Sequence, residues 1–252
     1  MTLWTATRQT YAEAWRFLIA LPIIAVAIVS IEGLQHVVEW RAGFYDSFAG
    51  MKAAGQDSGR MVLGALKVGW ITLLSYWTTR YFVSRSAGRT AAFDALAVRK
   101  FAWVFLFDAV LGLLLLFGPD FFPAVGSARR IASLALLAFA VATYPVGVML
   151  APWMVGAALG DRRASPPFAF RRAGGSVLWG VALTLFAPLP VMAVHYGLGY
   201  GAVGRAPVLA ISMLAMDAFL VGFLGVLANM TQVVVAERMA ARAGETLELD
   251  RA

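Results

Sequence analysis

The feature that most constrains this chain is a series of six apolar stretches, each close to the length that crosses a lipid bilayer. A helix needs about 20 apolar residues to span the hydrocarbon core. The stretches fall at 17–38, 61–83, 101–118, 131–157, 176–200 and 207–236. The chain has 252 residues, of which 61% are hydrophobic and 14% charged, and a single soluble core could not bury so much apolar surface. The sequence therefore predicts an all-α, polytopic membrane helical bundle with six transmembrane helices arranged as three hairpins.

The domain organisation follows from the spacing of these stretches. No polar block between them is long enough to fold separately, so we expect a single integral membrane domain over 1–252, with a mobile cytoplasmic tail at 237–252. The N-terminal region resembles a signal peptide, because Arg8 and Arg16 precede an apolar run. That run continues past a conceivable cleavage site at Ala25-Val26-Ala27, so we expect a retained first span.

The distribution of basic residues predicts the orientation. Fourteen of the 21 Lys and Arg residues lie on one set of connecting segments and six on the other, while Lys67 lies within a span. The richer side is expected to be cytoplasmic. The predicted location is thus a bacterial inner membrane, with both termini cytoplasmic. The segments at 84–100, 160–172 and 237–252 are expected on the cytoplasmic side, and those at 40–60, 119–130 and 201–206 on the periplasmic side.

Several classes of function are disfavoured by composition. The net charge of +7 comes from basic residues that flank apolar runs, so the pattern indicates contact with the lipid bilayer and does not favour nucleic acid. The absence of cysteine excludes disulfides and thiolate metal sites. The run from Gly199 to Gly204 matches a dinucleotide fingerprint by spelling, but it follows a membrane helix where the motif needs a strand. We expect a flexible loop there and no cofactor.

One polar helical face stands at the end of the first span. Glu32, His36 and Glu39 fall within about 60° of one another on a helical wheel. Two carboxylates and an imidazole could ligate zinc, manganese or iron, provided that another helix adds a ligand, and His195 is the obvious donor. The alternative is a polar helix end whose groups are hydrogen-bonded to neighbouring helices or water.

Charged residues inside the spans form the second candidate site. A charge in a bilayer costs roughly 2.5–3.5 kcal/mol, so such residues usually face a protein interior and pair. Lys67, Asp108, Asp217 and His195 all lie at depths that place them in the outer half of the membrane. We expect an intramembrane polar cluster in which Lys67 approaches at least one of the two aspartates. Such a cluster could be a structural clasp or part of a solute or proton path.

The cytoplasmic lead-in segments carry a resemblance to a known family. Residues 86–100 are predicted to form an amphipathic helix in the inner headgroup region, and Ser165 to Arg172 (SPPFAFRR) form a polar turn and a basic helix before a span. This layout, over most of the chain, resembles the six-helix membrane domain attached to bacterial glycerophosphoryl diester phosphodiesterases and its stand-alone relatives of unknown function. The resemblance implies a similar bundle. It does not imply the phosphodiesterase activity, because no segment here could hold that catalytic domain.

The functional expectation is a multi-pass inner-membrane protein without a recognisable catalytic motif, acting as a scaffold or as an accessory subunit with a membrane protein partner. One alternative is a small permease or lipid-handling protein that uses Lys67, Asp108 and Asp217. The other is a metal-dependent membrane enzyme built on Glu32, His36 and Glu39.

Overall fold

The computed structural model of the chain describes residues 1–118 and 127–248, and α-helices are the main elements throughout these ranges. Short 3₁₀ turns at Ala54–Gln56 and Gly174–Ser176 join some of them. The α-helices are α1 (Leu3–Ala20), α2 (Pro22–Arg41), α3 (Phe48–Ala53), α4 (Ser58–Ser84), α5 (Ala87–Ala91), α6 (Ala95–Phe117), α7 (Ser127–Ala158), α8 (Pro166–Ala173), α9 (Val177–Phe186), α10 (Leu189–Ala202) and α11 (Pro207–Arg242).

Six helical segments in the described residues are long and apolar enough to cross a membrane, which confirms the predicted all-α bundle with six candidate spans. They are Pro22–Arg41, Ser58–Ser84, Ala95–Phe117, Arg130–Ala158, Pro166–Ala202 and Pro207–Arg242. We call the end of the bundle that carries residues 42–57 and 203–206 the outer end, and the end that carries 85–94 and 159–165 the inner end. The predicted outer segment at 119–130 and the predicted tail lie partly outside the described residues, at 119–126 and 249–252.

The first span begins later than predicted. Leu21 ends α1, and Pro22 opens α2 as its first residue, a position where the missing proline N–H costs nothing. The preceding helix α1 packs along the inner half of α11. Gln9 donates a 3.1 Å hydrogen bond to Glu237, and Arg238 donates to the carbonyl oxygen of Met1 at 2.7 Å. The N-terminal segment is therefore a separate helix docked on the bundle.

The prediction of one amphipathic helix over 86–100 is wrong. The side chain of Ser86 caps the short helix α5, and the side chain of Asp94 caps α6 by accepting from the backbone N–H of Ala97 at 3.0 Å. A capping oxygen satisfies an N–H that has no partner within the helix, so Asp94 starts a new helix in the middle of the segment. The second half of the predicted helix is consequently the beginning of the third span.

The fifth span is broken in its middle. Helix α9 ends at Phe186 and α10 begins at Leu189, and the intervening residues include Pro188. Proline cannot donate to the preceding turn, which leaves carbonyl groups without a helical partner. At the break, the Tyr11 hydroxyl of α1 donates to the carbonyl oxygen of Ala187 at 2.9 Å. The break is thus held in place by α1.

Helix α11 lies at the centre of the bundle. It contacts α1, α2, α4, α7, α9 and α10, and its apolar side chains Leu227, Met230 and Val234 are fully buried. A Cβ atom at Gly222 would lie 2.6 Å from a methyl group of Val29, so the missing side chain permits close approach to α2. The helix continues to Arg242, which is six residues into the segment predicted as a tail.

The glycine-rich run after the fifth span is helical in its first part. Residues Gly199–Ala202 continue α10, and only the residues after them turn toward α11. A Cβ atom at Gly201 would lie 2.5 Å from the terminal methyl group of Met213. Gly201 thus lies against α11, and the flexible loop predicted there is shorter than expected.

Candidate functional site

The polar face predicted on α2 is turned into the bundle at the outer end. Glu32, His36 and Glu39 expose 2%, 8% and 3% of their surface, and Gln35 between them is buried as well. Helix α2 packs against α4 and α11, so these side chains meet residues of both helices. We call the resulting set the outer cluster: Glu32, Gln35, His36, Glu39, Tyr45, Arg60, Lys67, His195 and Asp217.

Three residues besides His36 hold the carboxylate of Glu39. Arg60 Nε donates to its Oε1 atom at 2.8 Å, and the Gln35 amide donates to the same oxygen at 3.0 Å. The Tyr45 hydroxyl donates to Oε2 at 2.5 Å. Burial raises the pKa of Tyr45 above its ordinary value, and the adjacent Glu39 carboxylate raises it further, so the phenol keeps its proton. Glu39 is therefore a fixed carboxylate whose position is set from α2, α4 and the segment after α2.

The two ring nitrogens of His36 face different groups. Nδ1 lies 3.1 Å from Oε2 of Glu39 and 2.8 Å from the hydroxyl oxygen of Tyr45. Because the phenolic hydrogen is used between Tyr45 and Glu39, Nδ1 acts as a donor. Nε2 lies 3.1 Å from Oδ2 of Asp217 and 3.7 Å from Oε1 of Glu32. If Nε2 carried only its lone pair, the two carboxylates would repel it. A cation must therefore lie between Nε2 and the carboxylates, and this cation is either a proton or a metal ion.

Glu32 and Asp217 each divide their two oxygens between His36 and a second partner. The remaining oxygen of Glu32, Oε2, accepts from Lys67 Nζ at 2.5 Å. The remaining oxygen of Asp217, Oδ1, lies 2.6 Å from Nδ1 of His195 on α10. Both carboxylates are almost fully buried, at 2% and 1% exposed, whereas Lys67 and His195 are partly exposed at the edge of the cluster.

The structure joins the two sites that the sequence predicts separately, with one exception. Lys67 pairs with Glu32, and no ion pair with Asp108 or Asp217 is formed by Lys67 in the described residues. Asp108 lies apart on α6 and is half-buried, and among residues 1–118 and 130–248, whose side chains the structure describes, it has no side-chain partner. The outer cluster therefore contains Glu32, His36, Glu39, Lys67, His195 and Asp217, but not Asp108.

Three members of the outer cluster, Gln35, Arg60 and Tyr45, are not among the site residues predicted from the sequence. Gln35 carries a signal, because it falls on the same helical face as Glu32 and Glu39. In the sequence, Arg60 is one of the basic residues that flank a span. Its contact with Glu39 depends on how the segment at 42–57 folds back, which the sequence does not show. Tyr45 has no distinguishing pattern in the sequence, because its role depends on that same segment.

A second polar region occupies the inner end. A cleft of about 1580 Å³ is lined by residues of α4, α6, α7, α8 and α11, among them Arg80, Asp94, Arg163, Phe168 and Arg172. The residues after α11 also line it: Glu245 forms ion pairs with Arg163, at 3.2 Å, and with Arg172. Lys67, Asp108 and Asp217 do not line this cleft. The described cleft and the outer cluster are consequently separate features.

Comparison with known proteins gives no match: no family model matches the chain, and neither a curated protein nor a solved structure does.

Proposed function

We propose that the protein is a multi-pass protein of a bacterial inner membrane, built as three helical hairpins with cytoplasmic termini, that works as a scaffold or accessory subunit. This proposal agrees with the resemblance to the membrane domain attached to glycerophosphoryl diester phosphodiesterases, and it assigns no catalytic step to the chain.

The observation that carries the proposal is the internal pairing of the outer cluster. Lys67 pairs with Glu32, Arg60 pairs with Glu39, and Asp217 lies between the two histidines. Charges that serve a transport path must be exposed to water at some stage, whereas these carboxylates are buried and already partnered. Such a network joins α2, α4, α10 and α11 and supports a structural role for the charges.

The surface that supports a membrane protein partner is the outward face of α6. Only 11% of the most apolar part of this span is buried in the bundle, compared with 39% for α11. Large apolar side chains cover this face, including Trp103, Leu106, Phe107 and Val110. Helices in a bilayer associate through van der Waals packing, and these large side chains offer contact area for it. In this proposal the membrane protein partner packs against α6.

A matched pair of substitutions tests this proposal. Val110 on α6 and Val26 on α2 are both 57% exposed, so a tryptophan fits at either position without entering the core. In polymer nanodiscs extracted from native membranes, the chain should co-migrate with a second membrane protein in a fixed ratio. Val110→Trp should abolish this association and Val26→Trp should not. A wild-type chain that migrates alone, or a complex that is indifferent to Val110→Trp, would contradict the proposal.

Asp108 favours a second candidate function, a small permease or lipid-handling protein. It lies on the same face of α6 as the buried Phe101 and Val104, and acidic residues inside membrane bundles often belong to proton relays. Proteoliposomes loaded with a pH-sensitive dye decide the matter. If the vesicles conduct protons and Asp108→Asn abolishes this flux, a proton carrier replaces the scaffold proposal. If the vesicles with the wild-type chain do not conduct protons, the carrier function is contradicted.

A further inference from the structure

We propose that Glu32, His36 and Asp217 form a binding site for one divalent transition-metal ion, with zinc as the simplest occupant. This inference goes beyond the scaffold role and does not depend on it. One ligand atom from each of the three side chains lies within 4.8 Å of the other two. Two helices provide them, since Glu32 and His36 lie one turn apart on α2 and Asp217 lies on α11.

The two distances from the His36 ring to the carboxylates are close to those of a metal centre. A tetrahedral ion with ligands at about 2.1 Å has edges of about 3.4 Å between its ligand atoms. Nε2 of His36 lies 3.1 Å from Asp217 Oδ2 and 3.7 Å from Glu32 Oε1, on either side of this value. A proton on Nε2 can be donated along only one N–H direction, toward one carboxylate. A metal ion bound by Nε2 and by one oxygen of each carboxylate would engage all three groups.

The residues that hydrogen-bond to the three ligands are arranged as in established metal sites. A metal-binding histidine usually donates its other N–H to a carboxylate, which fixes the ring and makes the ligand nitrogen more basic. His36 does this with Glu39, which Arg60, Gln35 and Tyr45 hold in place. The second oxygen of each ligating carboxylate also has a partner, Lys67 for Glu32 and His195 for Asp217.

This assignment differs from the one expected from α2 alone. Glu39, predicted as a ligand, binds the far nitrogen of His36 and so acts as a positioning residue. Asp217 takes its place as the ligand from a second helix. The site has an imidazole and two carboxylates and no sulfur, a set that suits zinc, iron(II) or manganese and excludes a preference for soft ions such as copper(I).

Metal analysis of the full-length protein tests the site. The chain is purified in detergent, its affinity tag is removed because tag histidines bind metal, and it is dialysed against buffered zinc. We expect one zinc per chain, lost in His36→Gln and in Asp217→Asn. Glu237→Gln, which alters a partly buried acid at the inner end of α11, should retain the zinc. His195→Gln should weaken binding by about 10–100-fold, as expected for a residue behind a ligand.

Two measurements on the wild-type chain keep the test independent of how the variants fold. Zinc should raise the melting temperature by several degrees, and a chelator should reverse the rise. Cobalt(II) should give visible absorption bands of a four- or five-coordinate ion, with no thiolate band because the chain lacks cysteine. The proposal would be overturned by less than about one zinc per ten chains, or by zinc binding that persists unchanged in a folded His36→Gln variant. The cation between Nε2 of His36 and the carboxylates would then be a proton.

Discussion

At the scale of single residues, the outer cluster shows how a membrane bundle accommodates charge. Each buried carboxylate uses both oxygens: Glu32 binds His36 and Lys67, Asp217 binds His36 and His195, and Glu39 binds Arg60 on one oxygen and Tyr45 on the other. A buried carboxylate that loses one partner keeps its desolvation cost without the compensating attraction. Whether one partner of a pair is removed or both are removed therefore decides the effect on stability.

Replacing Lys67 with methionine should destabilise the protein more than replacing Lys67 and Glu32 together. Lys67→Met leaves the Glu32 carboxylate 2% exposed and short of its donor, which should cost about 1–3 kcal/mol in the free energy of unfolding. The double variant Lys67→Met/Glu32→Leu removes both charges and should recover part of this loss. Unfolding in mixed micelles, followed by tryptophan fluorescence, measures both. Lys52→Met, at an exposed lysine, is the control and should have no effect. A double variant less stable than the single one would contradict a purely structural pair.

The same residues show what the sequence can predict about a site. The shared face of Glu32, His36 and Glu39 follows from helical periodicity, and the buried location of Asp217 follows from the cost of a charge in lipid. The choice of Glu32 as the partner of Lys67 does not follow, because it depends on how α2 and α4 are rotated against each other. Depth along a span can be counted from the sequence, but the direction in which a helix faces its neighbours cannot.

At the scale of helices, the sequence predicts where apolar segments lie better than where helices begin and end. Pro22, Asp94 and Pro188 each start or interrupt a helix within a region predicted as continuous. Proline and capping acids act through individual backbone groups, and averaged hydropathy does not detect them. The C-terminal end of α11 is a further case, because the residues after it turn back and reach the basic residues of α7–α8.

The docking of the segment after α11 should depend on the charge of Glu245. A hydrogen bond from Arg172 lowers the pKa of Glu245 below its ordinary value of 4.5, with a further contribution from Arg163. A lowered pKa means that docking is fully stabilised above the ordinary value and is lost as the pH falls through the lowered one. A spin label at Thr246→Cys, the sole cysteine of such a variant, should become mobile in that acid range.

Two substitutions at neutral pH separate this ion pair from other causes of motion. Glu245→Gln should give the same mobile spectrum at pH 7 as the wild type gives in acid. Glu248→Gln, which changes a nearby exposed acid, should leave the label as restrained as before. A label that is already mobile in the unaltered segment at pH 7 would show that Glu245 does not hold it.

At the scale of the whole molecule, the two polar features occupy opposite ends of the bundle. The outer cluster gathers acids, histidines and two basic residues, and the inner cleft is bounded by several arginines that Asp94, Asp161 and Glu245 partly neutralise. This asymmetry is what the positive-inside rule expects of a protein whose inner cleft faces the cytoplasm. The orientation determines which compartment would supply the metal ion proposed for the outer cluster.

Two exposed alanines on either side of α4 test that orientation. Ala53 lies at the end of α3 at the outer end, and Ala92 follows α5 at the inner end. Because the chain has no cysteine, Ala53→Cys and Ala92→Cys each create a single reactive thiol. In intact spheroplasts an impermeant maleimide should label Ala53→Cys at once, and it should label Ala92→Cys only after detergent is added. The opposite pattern would invert the orientation and place the outer cluster on the cytoplasmic side. Labelling of both positions from outside would be a more serious contradiction, because a single span, α4, separates them and would then fail to cross the membrane.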